Sequence, residues 1–208
     1  WFEQLVYEDG QPSEQRLREL IARYWGLVRL VDENVGRLIA TLKRMDIDRD
    51  TVVVFMSDHG DMMGAQGLVS KGNCMFDEAT KVPLIISHPG SLPAGKRTSA
   101  LTSVIDVVPT LLDLMSIQPS PEFDGQTLRQ SWDYDFNQRD AVFMQIWETY
   151  GMFDPVLAVR TKRWKFSWRI AGQDELYDMK ADPHEMRNLA GNPENADVLR
   201  GLRSRIVE

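Results

Sequence analysis

An α/β fold is predicted: part of a mostly parallel sheet flanked by helices, followed by a small antiparallel sheet with a C-terminal helix. Three observations predict it. The run Thr51-Val52-Val53-Val54-Phe55-Met56 has no polar interruption, the pattern of a strand buried on both faces, and such strands belong to parallel sheets covered by helices. Ahead of it, apolar residues recur every three or four positions from Leu17 to Leu42, as on an amphipathic helix. Beyond residue 140, extended segments joined by Gly-containing turn sequence read as an antiparallel sheet.

The elements follow in order. Ser13, behind Pro12 and before Glu14, starts the long helix. Its stripe of Leu17, Leu20, Ile21, Tyr24, Val28, Val31, Val35, Leu38, Ile39 and Leu42 is expected to pack on the sheet, and Lys43-Arg44 suits its C-terminal end. Residues 46–50 turn into the strand at 51–56. A short helix is expected over 73–80, a second buried strand over 82–87, a Pro/Gly loop over 91–97, a short strand over 103–105 and a helix over 107–115. Pro and Ser at 118–122 mark the boundary between a first domain, 1–120, and a smaller α+β subdomain, 121–208. There, 141–147 and 156–170 read as strands, 171–174 as a hairpin turn into 176–178, and 197–206 as the closing helix.

The first strand ends in Ser57-Asp58-His59-Gly60. Ligands of open α/β sheets bind beyond the carboxyl ends of the strands, so a carboxylate and an imidazole delivered there are placed to hold a metal ion. On the dipeptide alone, a turn carboxylate beside a histidine bonded to backbone accounts for the pair equally well. Gly64, Gly67 and Lys71 come next. A glycine-punctuated loop that brings in a lysine and re-enters the sheet forms a wall for an anionic substrate.

Ser57-Asp58-His59-Gly60, Lys71, Lys81-Val82-Pro83-Leu84-Ile85-Ile86 and Pro89-Gly90, in that order, resemble the second half of a sulfatase of the alkaline phosphatase superfamily. The likeness continues through Asp106-Val107-Val108-Pro109-Thr110-Leu111-Leu112, Asp124-Gly125-Gln126-Thr127-Leu128, Glu175-Leu176-Tyr177-Asp178-Met179, Asp182-Pro183-His184-Glu185 and Asn188-Leu189, covering residues 24–190. In motif form it is nearest to iduronate-2-sulfatase-like and choline-sulfatase-like members. The resemblance implies Asp58 and His59 as ligands of a divalent cation, usually calcium, with manganese or zinc as alternatives. It implies Lys71 as the contact to the substrate sulfate, and a sulfate-ester small molecule or sulfated sugar as substrate. Many members carry a histidine in the loop where this chain has Gln66.

Sulfatases also use a cysteine or serine, converted to formylglycine, in a Cys/Ser-x-Pro/Ala-x-Arg motif, with further acidic metal ligands near their N-terminus. Neither feature is present, and Cys74 lacks the required downstream residues. The chain opens on Trp1 and closes on Glu208 within an expected helix, so it reads as the C-terminal half of a metal-dependent ester hydrolase. A phosphonate or phosphodiester hydrolase of the same superfamily would keep Asp58, His59 and Lys71. A non-catalytic sulfatase-like binding protein is the alternative from another class.

A formal net charge of −7 over 208 residues argues against nucleic acid and anionic membranes as partners. Apolar runs fall short of the roughly 20 residues of a membrane span. One cysteine excludes an intrachain disulfide and leaves the compartment open. The basic and aromatic stretch from Arg160 to Arg169 has the composition of a single-strand nucleic-acid platform, but a two-faced strand with one packed aromatic side explains it more simply. His88 and His184 read as surface loop residues, and the ten methionines as pocket or core filler. Open sheet edges favour self-association, with a homo-oligomer as its product.

With no activated nucleophile in the sequence, the purified 208-residue chain is expected to leave an aryl sulfate intact. Metal-dependent turnover abolished by Asp58→Ala would place the catalytic group within this chain instead.

Overall fold

The hydroxyl of Ser13 accepts the backbone N–H of Arg16 at 3.4 Å and so caps the helix that the sequence begins there. The computed structural model describes residues 7–8, 11–118, 120–134, 139–149 and 152–207; Trp1, Pro119 and Glu208, which enter the readings above, lie outside them. The chain divides into two compact units, Trp1–Gly72 with Glu78–Ala94, and Asn73–Asp77 with Gly95–Glu208.

In the first unit, strands β1 (Tyr7–Glu8) and β2 (Gln11–Pro12) pair antiparallel ahead of helix α1 (Glu14–Arg44). The helix ends at Met45, whose N–H bonds to Thr41 O, and Asp46 then turns the chain with φ 57°. None of its residues is buried, and Trp25, Leu27 and Leu38 are each more than 60% exposed. The expected covering of a sheet is therefore not made within this unit. A helix of 31 residues runs about 46 Å, whereas the two strands beneath the motif are four residues each.

Those strands are β3 (Val53–Met56) and β4 (Leu84–Ser87), and they correct the sequence reading in direction. They pair antiparallel, Val53 opposite Ser87 and Met56 opposite Leu84, in a two-stranded sheet. A mostly parallel sheet is not seen among the described residues. An apolar run reports burial, not direction; here the intervening chain, 57–83, carries a 3-10 turn at Ala65–Gly67 and the four-residue helix α2 (Asp77–Thr80), and β4 returns antiparallel to β3. Burial also differs from the expectation: all four β3 residues are half-buried, and β4 alternates, with Ile85 exposed. Both strands start two residues late. The Thr51 hydroxyl donates to Ile47 O at 2.7 Å and holds the preceding turn, and Pro83 has no N–H for a ladder.

The second unit opens its ordered part with a 3-10 turn at Val104–Asp106, where a short strand was expected. The reason is local. Ser103 N–H donates to Asp106 Oδ2 at 2.8 Å and the Ser103 side chain accepts Asp106 N–H, a capping box that, with the turn bond from Asp106 N–H to Ser103 O at 3.0 Å, leads into helix α3 (Val107–Leu114). Asp106 is fully buried and also receives Gln126 N–H and the Arg139 guanidinium, while Thr110 Oγ1 accepts Leu128 N–H. The Asp-Gly-Gln-Thr segment thus docks on this helix. A Cβ at Gly125 would lie 2.0 Å from Ile105 O, so only glycine fits.

After helix α4 (Arg129–Tyr134), strands β5 (Ala141–Thr149), β6 (Met152–Thr161), β7 (Trp164–Arg169) and β8 (Glu175–Asp178) form an antiparallel sheet in sequence order, closed by helix α5 (Ala196–Val207). This small antiparallel sheet with its C-terminal helix is the one expected. On one face Val159, Phe166 and Leu176 pack with Leu202, Val198 and Ile206 of α5. On the other, Val156 and Ala158 pack with Met75. The aromatic residues of 160–169 are the packed side, and their basic neighbours are ion-paired: Arg163 to Asp178, Arg169 to Asp154, and Lys165 to both Asp77 and Glu185. That disposes of a stacking platform.

Lys165 is 1% exposed, with Asp77 at 2.5 Å, Glu185 at 2.8 Å and Met75 O accepting at 2.8 Å. Glu185 also accepts the backbone N–H of Asp77 at 2.6 Å, and its burial pushes its carboxyl above the ordinary value of 4.5. Lys165→Met should lower stability by about 3–5 kcal/mol at neutral pH, because two carboxylates lose their cation. The raised carboxyl fixes the sign: the destabilisation disappears as pH falls below the ordinary value of 4.5 and both states are protonated. Denaturant melts at pH 3.5 and 7 measure it; an equal loss at both would show that packing, not charge, carries the effect.

Candidate functional site

The site begins where β3 ends. Asp58 accepts the N–H of His59 on Oδ1 at 3.0 Å, and this bond, ahead of the charges of His59 and Lys71, holds its carboxyl below the ordinary value of 3.8. The carboxylate is exposed and stays ionised until pH falls through that lowered range. His59 Nδ1 lies 2.8 Å from Gly60 O; since a carbonyl only accepts, Nδ1 carries the proton and Nε2 presents a lone pair. Asp58 Oδ2 is 3.6 Å from Nε2, and the Lys71 ammonium donates to Nε2 at 2.9 Å. The three residues singled out from sequence therefore stand together, in the unit that holds both strands.

The turn is fixed by backbone. Gly60 N–H donates to Ala79 O at 2.8 Å, and a Cβ at residue 60 would lie 1.9 Å from Glu78 O. Ser57 Oγ donates to His59 O at 2.7 Å and reaches Asp58 Oδ1 at 3.5 Å. Sequence reasoning quoted both residues without a role. The Ser-Asp-His-Gly sequence was the available signal, but the carbonyl that excludes a Cβ comes from Glu78, farther along the chain.

Lys71 arrives on a loop folded on itself. Met62 N–H bonds to Ser70 O at 3.0 Å and Gly64 N–H to Leu68 O at 2.7 Å, while Met62, 1% exposed, plugs the interior. Gly64, Gly67 and Gly72 have positive φ, as the glycine spacing suggested. Met63, Gln66 and Ser70 share that conformation at φ 45°, 54° and 65°, which a sequence does not announce. Such residues cost of order 1 kcal/mol or more each and collect at functional sites. Gln66 occupies one of these left-handed positions. Cys74 is buried and burial pushes its thiol up, so it is a poor nucleophile.

The donor set fits a divalent cation. An exposed carboxylate stands beside an imidazole whose Nδ1 is engaged by a carbonyl, so that Nε2, onto which the Lys71 ammonium donates, is the lone pair a cation would take. Among the described residues, no group of three or more His, Cys, Asp or Glu gathers into a fuller set. No helix among them is long and apolar enough to cross a membrane.

Two family models match the chain: Sulfatase over residues 3–117, and N-sulphoglucosamine sulphohydrolase, C-terminal, over residues 64–208. A choline-sulfatase of Rhizobium meliloti is 36% identical over 190 residues, 90% of this chain and 36% of that protein. Among solved structures, one captured in complex with its substrate D-glucosamine-2-N,6-O-disulfate aligns at TM-score 0.84 and 28% identity, over 93% of this chain and 40% of that one. The phosphonate monoester hydrolase of Agrobacterium radiobacter aligns at TM-score 0.82 and 28% identity, over 95% of this chain and 44% of its own. The chain thus spans well under half the length of the proteins it matches.

Gly60→Ala tests how the turn is held. A backbone carbonyl does not yield as a flexible side chain does, so the substitution should displace the 58–60 turn and lower stability by about 1–3 kcal/mol. Chemical-shift changes at His59 and Lys71 that exceed those in α5 would report it; an unperturbed His59 ring would show that the contact is soft.

Proposed function

We propose, since the chain belongs to the sulfatase family, that it forms the C-terminal part of a metal-dependent hydrolase of sulfate esters whose substrate class is a sulfated sugar. The observation that carries this reading is the meeting of Asp58, His59 and Lys71 at the end of β3, with the ammonium 2.9 Å from Nε2 and the carboxylate 3.6 Å from it. The sugar is drawn from the structural relative solved with a sulfated glucosamine.

Asp58 and His59 would hold the cation. When bound, such an ion polarises a sulfate oxygen and stabilises negative charge on the attacking group. Oxygen from Asp58 suits calcium, while the imidazole also accommodates manganese or zinc. Gly60 O keeps the His59 proton on Nδ1, so that Nε2 faces the site as an acceptor. Lys71 brings a compact positive charge able to turn from Nε2 to an anionic group. Its loop supplies the position, and its unbranched stem the reach.

A phosphonate or phosphodiester hydrolase of the same superfamily would keep the same three residues, and the Agrobacterium structure is a related member that supports keeping that reading. Paired assays on a sulfate ester and a phosphonate ester, with the protein at matched metal occupancy, separate the two.

In the full-length enzyme, Asp58→Ala and His59→Ala should each lower bound divalent metal and turnover together. Lys71→Ala should keep the metal and lower kcat/KM by about 100-fold, the scale of losing one charge-stabilising donor. Elemental analysis alongside kinetics decides it: unchanged metal content in both ligand variants sinks the assignment.

A further inference from the structure

The two cation ligands sit on consecutive residues, so whatever fixes the peptide between and after them fixes both. Four bonds converge there. His59 N–H donates to Asp58 Oδ1 at 3.0 Å and orients the carboxylate. The ring of His59 is oriented by Gly60 O at 2.8 Å. The peptide joining His59 to Gly60 is itself held at both ends: its N–H donates to Ala79 O at 2.8 Å, and its carbonyl accepts Ser57 Oγ at 2.7 Å.

Resting on the reading above, we propose that Ser57 is a positioning residue for the cation ligands Asp58 and His59. Its hydroxyl closes a ring across Asp58, from residue 57 to the carbonyl of residue 59, and sits 3.5 Å from Asp58 Oδ1. Rotation of the 59–60 peptide would carry Gly60 O away from Nδ1 and release the ring that presents Nε2. Ala79 alone grips one end of that plane; Ser57 supplies the second grip. The short serine side chain loses little rotamer freedom in doing so. A donor hydroxyl is required. Threonine keeps it, cysteine keeps the size with a weak donor, and alanine removes it.

The test is calorimetric titration of the protein with Ca2+ and with Mn2+, paired with melting temperatures taken without metal. Ser57→Ala should weaken cation binding by about 10–100-fold, the effect of losing an outer partner of a metal ligand. Ser57→Thr should restore wild-type affinity, Ser57→Cys should fall between, and the metal-free melting temperatures should not follow that order. Affinity that tracks metal-free melting temperature across the three variants overturns the proposal, since the serine would then be structural only. Unchanged affinity in Ser57→Ala, where Asp58→Ala abolishes binding, overturns it while leaving the metal reading intact. Unchanged affinity in Asp58→Ala overturns both.

Discussion

The absence of a side chain at residue 60 is the constraint on which the site depends. With Glu78 O only 1.9 Å from where a Cβ would stand, the chain leaving β3 lies flush against the backbone of residues 78–79 and bonds to it. That close approach sets where Asp58 and His59 point, and it uses no side chain of either. The bonds that orient the two side chains engage Asp58 Oδ1 and His59 Nδ1, while Asp58 Oδ2 stands 3.6 Å from Nε2 and Nε2 receives the Lys71 ammonium. The proposed cation would take that Nε2 lone pair as the Lys71 ammonium turns away from it.

The Asp-His pair, the lysine-bearing loop and the long capped helix were legible because each is a local pattern: a strand end, glycine spacing, a 3.6-residue period. Strand direction was not. The run Thr51-Val52-Val53-Val54-Phe55-Met56 has the composition of a doubly buried parallel strand, yet β3 pairs antiparallel with β4 and is half-buried, because partners and cover are decided by distant chain. The 3-10 turn at Val104–Asp106 was missed for the opposite reason. Val104 and Ile105 look β-like, but Ser103 and Asp106 bond to each other's backbone at short range and override propensity.

The buried Lys165 cluster was hidden inside a pattern read as one two-faced strand over 160–169. The chain instead ends β6 at Thr161, turns at 162–163 and pairs back as β7, whose aromatic side packs with α5. Alternation said nothing of the opposite face, where Lys165 binds Asp77 and Glu185, residues separated from it by 88 and 20 positions. Two carboxylates and a peptide carbonyl around one ammonium satisfy a charge that no apolar core tolerates alone. The Asp-Pro-His-Glu sequence, quoted above only as likeness, thereby acquires a physical role: its glutamate reaches the N-terminus of α2 and bonds to Asp77 N–H.

The central claim is that Asp58, His59 and Lys71 form one anion- and cation-handling site. A crystal structure of the protein with a divalent cation and a sulfated sugar tests it most directly. The account predicts the cation about 2.0–2.6 Å from an Asp58 carboxylate oxygen and from His59 Nε2, with the Lys71 ammonium turned onto the sulfate. A cation bound elsewhere, with Lys71 still on His59 Nε2 and the sulfate held by other residues, would contradict it.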